Sequence, residues 1–168
     1  MVMEHVKRIV RHLLMTHLQV RRAFPQETLR AIEHAISASE STHIGQLFFA
    51  VEGALSATSL FKGLSARERA VEVFSQLRVW DTEHNNGVLI YLLLADRSVE
   101  IVADRGIHAK VESREWVAVC REMEAAFRRA EYQRGVVAGI QAISQHLGRH
   151  FPAQASGRNE LSDRPVIL

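Results

Sequence analysis

The sequence predicts an α/β domain in which a small mixed central sheet is flanked by helices, and three features predict it. Residues 44–51 form a β-rich run through Leu47, Phe48, Phe49 and Val51 that is too short for a typical helix. Residues 87–94 are continuously apolar after Gly87, as expected of a strand covered on both faces. Between them Ser65 and Glu68 have the spacing of a capping box, and Ala70, Val73, Phe74 and Leu77 place an apolar stripe on the helix that follows. A strand, a helix and a second strand in that order form a right-handed parallel crossover.

The remaining elements take their places around this unit. At the N-terminus Val6, Ile9, Val10, Leu13 and Leu14 share one helical face, with Lys7, Arg8, Arg11 and His12 elsewhere. That face is expected to dock onto the domain; contact with a membrane through residues 4–18 is the alternative. Pro25 suits the first turn of a second helix, whose Leu29, Ile32 and Ile36 align and which fades by Ser39. After the central strand, Ala95-Asp96-Arg97-Ser98 turns into residues 99–104, where Val99, Ile101 and Ala103 alternate with Glu100, Val102 and Asp104. This third strand is antiparallel and lies nearer an edge. Two helices follow, one carrying Trp116, Cys120, Met123 and Phe127, the other Tyr132, Val136, Ile140, Ile143 and Leu147, and both cover the sheet. Residues 152–157 read as an irregular linker and residues 161–168 as an extended tail whose Val166, Ile167 and Leu168 pack or add a strand.

Composition bounds the function classes. With 168 residues, 47% hydrophobic and 24% charged, the chain can bury a core without disulfides or structural metal. The apolar run at 88–95 is too short to cross a bilayer, and charges interrupt the first fifteen residues where a signal peptide would be apolar, so a cytoplasmic location is expected. A single cysteine builds no disulfide framework. A net charge of +2, spread along the chain, excludes a nucleic-acid footprint. A local excess of Lys7, Arg8, Arg11, Arg21, Arg22 and Arg30 over Glu4 and Glu27 would suit an acidic partner or a membrane surface.

Strand directions then sort the polar residues. The starts of the first two strands and the end of the third lie on one side, gathering His43, the loop Asp81-Thr82-Glu83-His84-Asn85-Asn86-Gly87 and Asp104-Arg105-Gly106. The Asp81, Glu83 and Asp104 carboxylates and the Asn85 and Asn86 carbonyls could hold a hard cation, and Arg105 a phosphoryl oxygen. The same residues also read as turn formers at strand ends. The loop is not an EF-hand, because the positions that need glycine and a bidentate glutamate hold Asn86 and Leu92. The opposite side gathers Glu52, Gly53, Asp96 and Arg97, where Asp96 and Arg97 read as a charged turn. Cys120 reads as an inert core thiol, and His146 with His150 as a solvated helix end. Gly45, Gly53 and Gly63 do not make a phosphate-cradling loop.

From Ser65 onward the order of features resembles the TPM domain family, named for a thylakoid-lumen phosphatase, a photosystem II repair protein and a modulator of an acetylcholine receptor. The resemblance is carried by Ala66-Arg67-Glu68-Arg69-Ala70 through Phe74, residues 81–94, Ala95-Asp96-Arg97, Val99-Glu100-Ile101 and Asp104-Arg105-Gly106-Ile107. Phe127-Arg128, Tyr132, Gly135-Val136 and Gly139-Ile140 extend it into the closing helices, over residues 28–150 in all. It implies an αβα sandwich at residues 25–151, preceded by an amphipathic helix and connector at 1–24 and followed by a tail at 152–168. Family members are associated with phosphatase activity and with calcium binding, and many carry a signal peptide and a membrane anchor, neither of which is recognised here. The resemblance makes two functions the expectation. In a phosphatase-like domain, Asp81, Glu83, Asn85 and Asp104 would ligate Ca2+ or Mg2+, Arg105 would hold a phosphoryl oxygen, and His84 or His43 would transfer protons. In a noncatalytic module the same edge would bind calcium or a protein partner.

Overall fold

In the computed structural model, which describes residues 2–154 and 159–168, the chain folds as α1 (Val2–Leu14), α2 (His17–Ala23), α3 (Gln26–Ser39), β1 (Gln46–Glu52), α4 (Ala57–Phe61), α5 (Ala66–Gln76), β2 (Gly87–Leu93), β3 (Ser98–Ala103), α6 (Arg105–His108), α7 (Ser113–Arg128), α8 (Tyr132–His150) and β4 (Val166–Ile167). Part of the expected linker, residues 155–157, lies outside the described residues.

The four strands form one sheet in the order β3-β2-β1-β4. As the crossover requires, β1 and β2 are parallel, with Gln46 opposite Gly87, and β3 returns antiparallel with Ala103 opposite Val88. The tail adds β4 parallel to β1, with Val166 opposite Ala50. Alternation along β1 and β2 divides the core into two layers. Leu47, Phe49, Val51, Val88, Ile90 and Leu92 face α3, α7 and α8. Phe48, Ala50, Leu89, Tyr91 and Leu93 face α4 and α5. Both faces are covered, which explains why residues 88–94 lack polar positions.

The observed helices are set by their caps. Ser65 and Glu68 close the expected capping box of α5. Pro25 is the N-cap of α3, one residue outside the helix, and the helix ends at Ser39 as its pattern predicts. Thr16 and Gln19 form a second capping box that opens α2. Trp116, Met123 and Phe127 are buried in α7, and Cys120 is half-buried, where burial pushes its thiol up to about 12 and leaves it unreactive. The His146 ring lies 5.4 Å from that of Trp116, tilted by 58° to it.

The N-terminal helix departs from expectation. Its apolar face does not dock: Val6, Val10, Leu13 and Leu14 are exposed. The helix is held by its polar side, where Arg8 Nε lies 2.9 Å and Arg11 Nη2 3.3 Å from the carboxylate of Asp96. His12 is buried, accepting the Leu55 N–H on Nδ1. One apolar residue of the face, Ile9, packs inward against the α5 layer. Amphipathicity therefore identified the face correctly and its direction wrongly, because three ring and guanidinium groups meeting one half-buried carboxylate outweigh the apolar stripe.

The tail is clamped at the sheet edge by Gln46, whose Oε1 accepts the Glu160 and Leu161 N–H groups at 2.8 and 3.0 Å. Beside it the Glu40 carboxyl is pushed from 4.5 up to about 7, first by burial and then by the neighbouring Asp163 carboxylate. A carboxyl whose folded-state pKa is raised contributes stability that is complete below its ordinary value and lost as pH rises through about 7. The melting temperature is therefore expected to fall relative to that of Glu40→Gln as pH rises from about 5 to about 8. Parallel melting profiles for the two proteins would refute that coupling.

Candidate functional site

Three local devices build the edge at the starts of β1 and β2. Helix α5 ends at Gln76 with Leu77 as its C-cap, and the chain passes through exposed Asp81 into a tight turn in which Thr82 is buried and its Oγ1 accepts the Asn86 N–H at 3.2 Å. Asn85 takes a left-handed backbone, φ +50°, which asparagine tolerates better than most residues. This reverses the chain and sends the two adjacent asparagines in different directions. Asn86 turns inward, is fully buried, and donates from Nδ2 to the Ile44 carbonyl at 3.1 Å. Asn85 turns outward to Arg105.

The second device is Asp104, which leaves β3 and caps α6. Its N–H donates to the Gly87 carbonyl at 2.8 Å and its Oδ1 accepts the Arg105 N–H at 2.7 Å. Its other oxygen, Oδ2, is buried without a hydrogen-bond partner, as is Asn86 Oδ1. A buried carboxylate oxygen is costly unless a donor or a cation satisfies it.

The third device joins the two segments. The Asn85 carbonyl accepts the Gly106 N–H at 2.9 Å and the Ile107 N–H at 3.3 Å, while Arg105 Nε donates to Asn85 Oδ1 at 3.0 Å. The approach is so close that a Cβ at Gly106 would lie 2.5 Å from the Asn85 carbonyl oxygen and 2.6 Å from that of His84. Glycine is required there by contact, not by an unusual φ.

The expected residues thus share one edge but not one cluster. Asp81, Glu83 and His84 are exposed, whereas Asp104 is half-buried with its Oδ2 enclosed. Among the described residues no group of three or more His, Cys, Asp or Glu side chains is arranged to hold a metal ion. His43 sits nearby but faces another way: it is buried, its Nδ1 lies 3.0 Å from the Gly45 carbonyl, and burial holds its pKa below the ordinary value, favouring a neutral ring.

Glu160 is a member of this edge that sequence reasoning missed. Its carboxylate accepts the Glu83 N–H at 3.0 Å across 77 positions of chain. No local pattern announces it; the contact arises because β4 returns the tail to β1. On the opposite side of the sheet, Glu52 is bound by Arg69 Nε at 2.9 Å and by the Tyr91 hydroxyl, and Asp96 holds α1, so these acids serve structure. The cleft of about 980 Å3 between α2, α3 and α8 is lined by Thr28, Tyr132 and Val137 among others, and by no residue of the Asp104 edge.

Comparison with known proteins agrees with this architecture. A family profile described as the TPM domain matches residues 21–146. A protein called BA42, from the psychrophilic bacterium Bizionia argentinensis, has a solved structure that superposes with a TM-score of 0.75 at 26% identity, covering 84% of this chain and 93% of that one. The N-terminal domain of a protein from P. gingivalis gives a TM-score of 0.47 at 16% identity, covering 71% of this chain and 93% of that one. No curated protein sequence matches.

Proposed function

Because the chain belongs to the TPM domain family, we propose that the edge formed by residues 81–87 and 104–106 binds a hard divalent cation, calcium or magnesium. The observation that carries this reading is Asp104 Oδ2, an ionisable oxygen buried without a partner on the edge that also carries a second such oxygen, Asn86 Oδ1. Hard cations take carboxylate, amide and main-chain oxygens together, which is the donor set present. Asp104 and Asn86 would hold the cation from within. Asp81 and Glu83 would complete the shell from the exposed side, and Asn85 would join it only by giving up its bond to Arg105. Bound there, the cation would supply charge able to polarise a phosphoryl oxygen.

Phosphate-ester hydrolysis is the activity this arrangement would carry, with Arg105 holding a phosphoryl oxygen and the exposed His84 transferring protons. A noncatalytic cation-binding module is the second reading, and one observation favours it: the Arg105 guanidinium is already engaged by Asn85.

A calcium or magnesium titration followed residue by residue tests the cation site. Resonances of residues 81–87 and 104–106 are expected to shift, and Asp104→Asn to weaken binding by about tenfold or more, since affinity follows ligand charge. Uniform silence, or equal binding by the variant, would return these residues to turn-forming roles. A phosphate-ester assay of the loaded protein then separates the two readings: turnover abolished by Asp81→Ala and Asp104→Ala supports hydrolysis, while binding without turnover supports the module.

A further inference from the structure

We infer that α1 is a peripheral membrane anchor whose apolar face lies in the surface of an anionic bilayer. The inference begins with how the helix is held. Arg8 Nε and Arg11 Nη2 reach Asp96, Arg8 Nη2 donates to the Leu64 carbonyl at 3.0 Å, and His12 Nε2 lies 3.0 Å from Asp96 Oδ1. Residues 8, 11 and 12 occupy one side of a helix, and residues 6, 10, 13 and 14 roughly the opposite side. Fastening the first side to the body aims the second at solvent.

The exposures agree. Met3, Val6, Val10, Leu13 and Leu14 are 47–71% exposed, and Leu18 at the start of α2 is 58% exposed. On α4, against which α1 packs, Phe61 is 73% exposed. Scattered exposed apolar residues are ordinary, but a continuous helical stripe is not. Its direction is also maintained by burying a histidine and a carboxylate, whereas turning the helix over would have covered the apolar groups.

Charge selects the occupant. Lys7 borders the stripe on α1, Arg21 and Arg22 follow Leu18, and Lys62 follows Phe61, all exposed. Among the described residues of α1, α2 and α4 the only carboxylate is Glu4. An apolar helical face with a cationic rim is what an anionic lipid surface takes up, its acyl boundary receiving the side chains and its head groups the cations. A second copy of the chain would set the same cations against one another. The helix lies outside the part of the chain that matches the TPM domain, so the anchor is a property of this chain's own N-terminal segment.

The test is sedimentation of the full chain with phosphatidylcholine vesicles containing about a third phosphatidylserine, and with phosphatidylcholine alone. Binding is expected to the anionic vesicles, weaker to the neutral ones, and reduced by salt. The double variant Val10→Asp/Leu13→Asp is expected to lower partitioning by about tenfold or more, since charge on the inserted face opposes burial. Both residues are exposed, so an unchanged melting temperature shows the fold intact, and light scattering without vesicles is expected to report a monomer. Failure to bind the anionic vesicles, or equal binding by the variant, overturns the inference. So does a concentration-dependent dimer that the variant abolishes in the absence of vesicle binding, which would assign the stripe to a second copy.

Discussion

Glu52→Ala is expected to lower the unfolding free energy by about 3–5 kcal/mol, the range for removing one partner of a buried, hydrogen-bonded charge pair. Glu52 and Arg69 are only 12% and 19% exposed at their side chains. Both Glu52 oxygens are used, Oε2 accepting from Arg69 Nε at 2.9 Å and Oε1 from Arg69 Nη2 at 3.1 Å. Oε2 also accepts the hydroxyl of fully buried Tyr91, which burial keeps protonated by raising its pKa well above the ordinary value. Truncation therefore leaves a buried hydroxyl without an acceptor and a guanidinium with only the more exposed Glu72, 3.0 Å away. Tyr91→Phe removes one bond and leaves the ion pair, so about 1 kcal/mol is expected. Urea unfolding distinguishes these outcomes. A Glu52→Ala loss no larger than that of Tyr91→Phe would show that the charge pair contributes little.

That pair also shows what the sequence could and could not convey. The order of strands was legible because β1 and β2 are covered on both faces, so their apolar runs are unbroken, and a capped helix long enough to cross over separates them. The first strand starts two positions later than its apolar pattern, at Gln46, because Ile44 donates to the Phe151 carbonyl and lies outside the ladder. Helices α2, α4 and α6 went unrecognised: they run for seven, five and four residues, too short for a periodic stripe, and are set by the caps Thr16, Ser56 and Asp104. Thr16 and Gln19 were in plain view as a capping box. Nothing local, by contrast, pairs Glu52 with Arg69 or Asp96 with Arg8.

The candidate edge was legible as a place, because strand direction alone brings residues 81–87 to residues 104–106. Its chemistry was not. A carboxylate count suggests Asp81, Glu83 and Asp104 as equals, yet the first two are exposed and the third is half-buried with its Oδ2 enclosed. Asn85 and Asn86 look equivalent in sequence, and only the left-handed backbone of Asn85 separates the one that holds Arg105 from the one with an unpaired oxygen.

Gly106→Ala is expected to have the largest effect on the site for the smallest change in composition. The added methyl group would meet two main-chain carbonyl oxygens, of Asn85 and His84, at 2.5 and 2.6 Å. Neither oxygen belongs to a flexible side chain, so the two segments must move apart. The Gly106 and Ile107 bonds to the Asn85 carbonyl would lengthen with them, as would the Arg105 bond to Asn85 Oδ1. A loss of about 1–3 kcal/mol is expected for such overpacking. The cation response should fall as far as it does in Asp104→Asn, although no oxygen donor has been removed. The comparison assigns the effect: Asp104→Asn changes charge while keeping the junction, and Gly106→Ala opens the junction while keeping the charge. A Gly106→Ala protein that bound calcium as the unaltered chain does would show that the Asn85 contact is dispensable, and that Asp104 acts without the loop across from it.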